Sequence, residues 1–216
     1  MVRIIAIGGL KGGSGKTTLA VNLACCLAEH NRVRLIDADP QASAREWLSG
    51  GSLPLQCDAM PLEDKRGATA WIRRVSNLDT DILVIDLPPQ TGAATAAALI
   101  LADLFLVPIA PSSLDLRAAG KALEMLQEAR NARADGKPAA LLVPSKVDRR
   151  TGAGREIEAA LHEMGEPVAP AIGLRTAFVD SASGSDWIGG FAPRSIAHQE
   201  IAALAAVADR ITRRKG

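Results

Sequence analysis

The sequence predicts an α/β fold, a mostly parallel sheet with helices on both faces. Short apolar, β-branched runs alternate with longer helical segments along the chain, the pattern of strands covered on both sides. A glycine-rich stretch falls between the first run and the first helix, where parallel sheets hold phosphates. The chain has 216 residues, 48% hydrophobic and 23% charged, which suits one domain over residues 1–216.

The elements follow in order. Ile4–Ile7, Val33–Ile36, Ile82–Ile85, Leu104–Ile109 and Ala140–Val143 read as five strands, and Val168–Ile172 as a candidate sixth. Helical segments are expected at Lys16–Glu29, Ala93–Leu101, Leu116–Ala134, Glu156–Met164 and Ser195–Arg213. In the long one, Leu123, Leu126 and Arg130 recur at helical spacing. Residues Ser49–Lys65, rich in Gly, Pro and Ser, read as a surface loop.

Bulk properties exclude several classes. Lys plus Arg number 25 against 24 Asp plus Glu, so global charge points to no nucleic acid or membrane, and only a local basic patch could. Cys25, Cys26 and Cys57 lack metal-ligand spacing and read as buried structural thiols. No apolar run reaches the length of a membrane span, and the N-terminus lacks a signal-peptide pattern. A cytoplasmic protein is expected. Trp47, Trp71 and Trp187 read as packing residues, and His30, His162 and His198 as surface residues without ligand-like spacing.

The chemistry concentrates in Gly8–Thr18. Phosphates need backbone N–H groups converging on one point. Glycines let the chain wrap that closely, and a helix N-terminus adds positive potential. Lys11, Gly12, Gly13, Ser14, Gly15, Lys16, Thr17 and Thr18 are therefore the expected nucleotide-binding residues. Lys16 would reach the β- and γ-phosphates, and Thr17 would offer its hydroxyl to Mg2+. The loop departs from G-x-x-x-x-G-K-T in one respect. Leu10 stands where the first glycine belongs, and a second lysine, Lys11, follows it.

Two acidic stations accompany the loop. The second strand runs into Asp37-Ala38-Asp39-Pro40-Gln41, and the third ends in Asp86-Leu87-Pro88-Pro89. Carboxylates at the C-terminal ends of parallel strands face the ligand crevice and suit metal hydration and water positioning.

The loop K-G-G-x-G-K-T resembles that of the ParA/MinD superfamily, the deviant Walker A ATPases. Pro108–Gly120, Asp39–Ser43 with Trp47, Arg175–Phe178 and Ser195–Ile201 look like segments of the small, ParF-like ParA partition proteins. The resemblance covers nearly the whole chain. It implies a P-loop NTPase fold and a slow ATP hydrolase using ATP and Mg2+. It also implies a homodimer sandwiching ATP, with Lys11 reaching the partner's nucleotide. Asp39 would orient the attacking water, Asp37 would support Mg2+ through water, and Asp86 would hold Mg2+, so Lys11, Lys16 and Asp39 become the catalytic set and Thr17, Asp37 and Asp86 the metal set. Gln90 departs from the pattern, standing where the family carries a small residue.

The small members bind duplex DNA nonspecifically as ATP dimers, under control of a small cargo-bound activator protein. The cargo is a plasmid, a chromosome or a protein body such as a carboxysome. The first strand begins too early to leave room for a helix-turn-helix, so DNA contact is expected from phosphate-binding cations. Arg149, Arg150, Arg175, Arg194, Arg213 and Arg214 are the candidates, with Arg155, Arg210 and Lys215 beside them, and a nucleoid-associated location follows. Ser145-Lys146-Val147-Asp148 stands where the superfamily approaches the adenine. The alternative is a MinD-like membrane switch for division-site placement. It would need the stripe Ile201, Leu204, Ala208 and Ile211 to lie on a membrane; covering the core is the plainer role for that helix.

Overall fold

The computed structural model describes residues 2–51, 53 and 55–213. Arg214 and Lys215, named above as basic candidates, lie outside them. Six strands form one sheet: β1 (Arg3–Ile7), β2 (Val33–Asp37), β3 (Gln56–Ala59), β4 (Ile82–Asp86), β5 (Leu104–Ile109) and β6 (Ala139–Pro144). Their order is β3-β2-β4-β1-β5-β6, and every pairing is parallel.

Period-2 alternation sorts the strand residues into two cores. Ile4, Ala6, Leu83, Ile85, Phe105 and Val107 face one way, and Ile5, Ile7, Ile82, Val84, Leu104 and Leu106 the other. The first core is covered by α3 (Ala68–Ser76), α4 (Ala93–Leu101), α5 (Ser113–Asn131) and α6 (Gly152–His162). The second is covered by α1 (Lys16–Ala28), α2 (Ser43–Ser49), α7 (Thr176–Ser183), the short α8 (Ile188–Phe191) and α9 (Ile196–Arg213). Burying one Leu, Ile or Phe contributes about 1.5–3 kcal/mol, and Phe105, Ile5, Ile7, Leu83 and Ile85 are all essentially inaccessible.

The topology creates the crevice. From β1 the chain crosses through α1 to β2 on one side. From β4 it crosses through α4, past β1, to β5 on the other. The strand order reverses around β1, and such a reversal opens a ligand crevice at the C-terminal strand ends.

Several boundaries differ from expectation. Ser49–Lys65 is not all loop: Gln56–Ala59 pairs in parallel with β2 as an edge strand. It is polar, and what stabilises it is the ladder plus an Arg34–Asp58 ion pair at 2.8 Å, so no apolar run marks it. Val168–Ile172 is not a continuous strand. Pro167 and Pro170 have no N–H to donate, and only isolated bridges form, Leu142 with Val168 and Val147 with Gly173. α5 starts before Leu116 because the Ser112 hydroxyl caps it, accepting from the Asp115 N–H at 3.1 Å. α6 likewise starts before Glu156, where the Thr151 hydroxyl accepts from the Gly154 N–H at 3.0 Å. His198 is not a free surface residue; its ring meets Trp187 edge-on at 5.4 Å. The tryptophans do pack, with Trp71 Nε1 donating to the Met60 carbonyl at 2.8 Å and Trp47 Nε1 to that of Asp186 at 3.1 Å. Burial pushes the thiols of Cys25 and Cys57 up to about 12 and that of Cys26 up to about 11, which leaves no reactive thiolate.

Candidate nucleotide site

Three adjacent strands end in one row. Ile7 of β1 lies beside Asp86 of β4, which lies beside Asp37 of β2. The loop after Ile7 curls back over this row and enters α1 at Lys16. Gly13 and Gly15 hold φ of 78° and 95°, left-handed conformations that a Cβ resists. They turn the loop so that Gly12, Gly13, Gly15, Lys16, Thr17 and Thr18 line a hollow.

The cations and acids are arranged around that hollow. Lys16 is buried, and its ammonium donates to the Lys11 carbonyl at 2.8 Å. Burial lowers its pKa, countered by the charges of Asp86 and Asp39. The Thr17 hydroxyl donates to Asp86 Oδ2 at 2.7 Å. Gly12, Gly13, Gly15, Lys16, Thr17, Thr18, Asp39, Pro89 and Lys146 line a cradle of about 240 Å3.

Asp86 is 1% exposed, and its Oδ1 has no hydrogen-bond partner among the described residues. Burial pushes this carboxyl up to about 7, against the Thr17 hydrogen bond that favours its charged form. A divalent cation would supply the missing partner and stabilise the charge, so the residues fit Mg2+: a Thr hydroxyl and an orphaned carboxylate oxygen at the edge of a phosphate cradle. Among the described residues no cluster of three or more His, Cys, Asp and Glu could cage a metal. Magnesium bound through one or two side chains plus phosphates and water needs none.

Asp37 is fully buried and already holds two backbone groups. Its Oδ1 accepts the Asp39 N–H at 3.1 Å and its Oδ2 the Arg45 N–H at 3.0 Å. It ties the loop after β2 to the start of α2. Support of a hydrated ion would use the remaining lone pairs. Asp39 is half-buried, and its Oδ1 accepts the Gln41 N–H at 2.9 Å.

Lys11 has a partner in its own chain. Its ammonium lies 2.5 Å from Asp115 Oδ2, in the first turn of α5, and the Ser112 hydroxyl donates to the same oxygen. The motif did not reveal this contact, which spans 104 positions. Ser112-x-x-Asp115 does carry a helix-start signature, Ser followed by an acid three residues later.

Beyond Gly15 and Thr18 lies a second hollow of about 320 Å3. Leu19, Ser145, Lys146, Ile172, Leu174, Arg175, Phe178 and Val179 help line it. Its walls are mainly apolar, with Leu174 and Val179 61% and 66% exposed, as a planar base requires. It adjoins Ser145–Lys146, where the adenine was expected.

The basic candidates divide. Arg149 pairs with Glu158 at 2.6 Å, Arg150 with Asp148 at 2.7 Å and Arg213 with Asp209 at 2.7 Å, all largely exposed. Exposed pairs contribute about 0–1 kcal/mol, so these arginines can exchange an acid for a phosphate. Arg175 is no free surface cation. It holds Glu200 through Nη2 at 2.6 Å and Nε at 3.0 Å on the wall of the apolar hollow. Arg194 is exposed, in a left-handed conformation. In α9, Ile201, Leu204 and Ala208 are wholly buried in the second core, and among the described residues no helix is long and apolar enough to cross a membrane.

The CobQ/CobB/MinD/ParA nucleotide binding domain model matches residues 5–186. The chain belongs to this family. It is 32% identical over 165 residues to maintenance of carboxysome distribution protein A of Halothiobacillus neapolitanus, covering 76% of each chain. To protein ParA of Rhizobium radiobacter it is 29% identical over 179 residues, covering 81% of this chain and 80% of the other. Apo McdA of Cyanothece superposes with a TM-score of 0.80 at 18% identity, covering 96% of this chain and 99% of that one. MinD of Pyrococcus horikoshii, complexed with Mg-ADP, superposes at 0.79 with 21% identity, covering 99% and 98%. At those identities the two structures attest the fold.

Proposed function

We propose that the protein is a ParA-type positioning ATPase. It binds ATP with Mg2+, pairs with a second copy across the nucleotide, holds duplex DNA without sequence preference, and releases it after hydrolysis stimulated by a small cargo-bound protein. The observation that carries this reading is the loop itself. Lys16, Thr17 and Asp39 line one cradle, and Asp86 joins it through the Thr17 hydroxyl, while Lys11 lies outside that cradle in a small hollow against α5. The lysine in the cradle serves the chain's own nucleotide, and the one outside it can serve a partner's.

The residues divide the work. The amides of Gly12–Thr18 and the Lys16 ammonium hold the phosphates. Thr17 and Asp86 hold Mg2+, which neutralises charge on the phosphates when bound. Asp39, half-exposed on the cradle wall, positions water. A lone positioned carboxylate, with Lys11 docked on Asp115, suits slow unstimulated turnover. Arg149, Arg150, Arg194 and Arg213 are the DNA-phosphate candidates the geometry leaves available. One relative's name supplies a cargo class, a carboxysome, and the ParA resemblance implies the other, a plasmid or chromosome.

The test is a gel shift and a vesicle-pelleting assay with ATP, ADP and no nucleotide. Salt-sensitive binding to arbitrary duplex DNA with ATP alone is expected, because each phosphate contact releases a counterion. Binding to vesicles without binding to DNA would overturn the reading.

A further inference from the structure

Three lysines stand in or beside the phosphate loop and its two hollows, and two already have partners: Lys11, outside both hollows, on Asp115 and Lys16, in the cradle, on the Lys11 carbonyl. The third, Lys146, has no hydrogen-bond or ion-pair partner among the described residues and is exposed. It lines both hollows, and with Gly15 and Thr18 it forms the joint between them.

Its backbone is unusual. Lys146 holds φ of 55°, a conformation that Gly, Asn and Asp adopt far more readily. Neighbouring hydrogen bonds enforce it. The Ser145 N–H donates to the Ile109 carbonyl at 2.8 Å, and the Val147 N–H to the Ile172 carbonyl at 3.0 Å. The turn is thus pinned to β5 on one side and to the segment after Pro170 on the other. Strained residues of this kind cluster at active sites and ligand clamps. The stem passes close to the phosphate loop: a Cβ on Gly15 would stand 3.9 Å from Lys146 Cε and 3.1 Å from Ser145 Oγ.

We infer that Lys146 is a further nucleotide-binding cation, whose ammonium takes an oxygen of the phosphate nearest the ribose. This rests on the nucleotide-binding reading above. A nucleotide with its base in the apolar hollow and its terminal phosphates in the loop must pass the joint with its sugar and first phosphate. The charged group crossing that joint is the first phosphate, and the free cation standing there is Lys146. Lys16 and Mg2+ serve the terminal phosphates, so Lys146 is set to hold AMP, ADP and ATP alike. It would make affinity depend on salt even without the γ-phosphate.

The test is calorimetric titration of AMP, ADP and ATP with Mg2+ into the wild-type protein, Lys146→Met and Lys146→Arg, at low and high salt. The methionine variant is expected to bind all three about five- to tenfold more weakly at low salt, the loss of one charge-assisted contact at an exposed site. The difference should shrink at high salt, and arginine should restore affinity to within about twofold. The nucleotide-free melting temperature of each variant checks the fold. ADP affinity of Lys146→Met within twofold of wild type would overturn the inference while leaving the nucleotide site intact. Weakening confined to ATP would overturn it too, by placing the ammonium at the γ-phosphate. A folded wild-type protein that binds none of the three would instead bring down the nucleotide reading, and this inference with it.

Discussion

The two ends of the crevice are built differently. At the phosphate end, Lys16, Thr17, Asp37 and Asp86 are buried or half-buried, and each is held by a named hydrogen bond. At the base end, Leu174 and Val179 stand mostly exposed around an open apolar hollow. The phosphate end is organised before any ligand arrives. Ordering is therefore a small part of binding there, and its charges act at full strength. On the proposed reading, the base end would gain affinity from surface burial and would tolerate change.

The difference predicts unequal effects of substitution. Lys16→Ala should weaken ADP and ATP binding by about a hundredfold or more, since it removes a buried cation from a preorganised phosphate site. Calorimetry or a fluorescent nucleotide would read it, and a loss under tenfold would mean the loop does not rely on this ammonium. Asp39→Ala should lower ATP turnover by about ten- to a hundredfold with ADP affinity nearly unchanged, as expected when a water-positioning group is lost. Hydrolysis at the wild-type rate would reject its role.

Asp86→Asn probes the cost of preorganisation. The Asp86 carboxyl sits at about 7 in the folded chain because it is buried, against about 4 in an unfolded one. Between those values the folded state holds the extra proton, so without nucleotide or metal its stability falls as pH rises from about 4 to about 7. Asparagine removes that slope and should stabilise the nucleotide-free protein near pH 8 by about 1–3 kcal/mol. Mg2+ should no longer raise its melting temperature in the presence of ADP. A variant no more stable than wild type at pH 8 would show that the orphaned Oδ1 is not costly.

The smallest effect is expected at the base end. Leu174→Ser should weaken ATP and ADP equally by only about two- to fivefold, consistent with partial burial of one side chain. A loss as large as that of Lys16→Ala would erase the contrast between the two ends.

The same contrast separates what was legible in the sequence from what was not. The phosphate end lies in short, contiguous motifs, Lys11–Thr18, Asp37–Asp39 and Asp86, each at a strand end, so local spacing was enough to place it. The apolar hollow draws on residues from Leu19 to Val179 that only the fold brings together. Edge strand β3 escaped because Gln56-Cys57-Asp58-Ala59 has no apolar run. α7 follows Arg175 without a side-chain cap, so nothing in the local sequence marks its start. Lys11 and Asp115 each lie in a recognisable motif, and only the crossover through β4, α4 and β5 brings them together.

The proposed role of Lys11 is to serve a second copy of the chain. In the lone chain it rests on Asp115, 2.5 Å away, and pairing would exchange that carboxylate for the partner's phosphates. Sedimentation velocity of Lys11→Ala beside wild type, with saturating ATP and Mg2+, tests this most directly. Wild type should sediment as a dimer and the variant as a monomer that still binds nucleotide. A Lys11→Ala chain that dimerises with ATP as wild type does would contradict it.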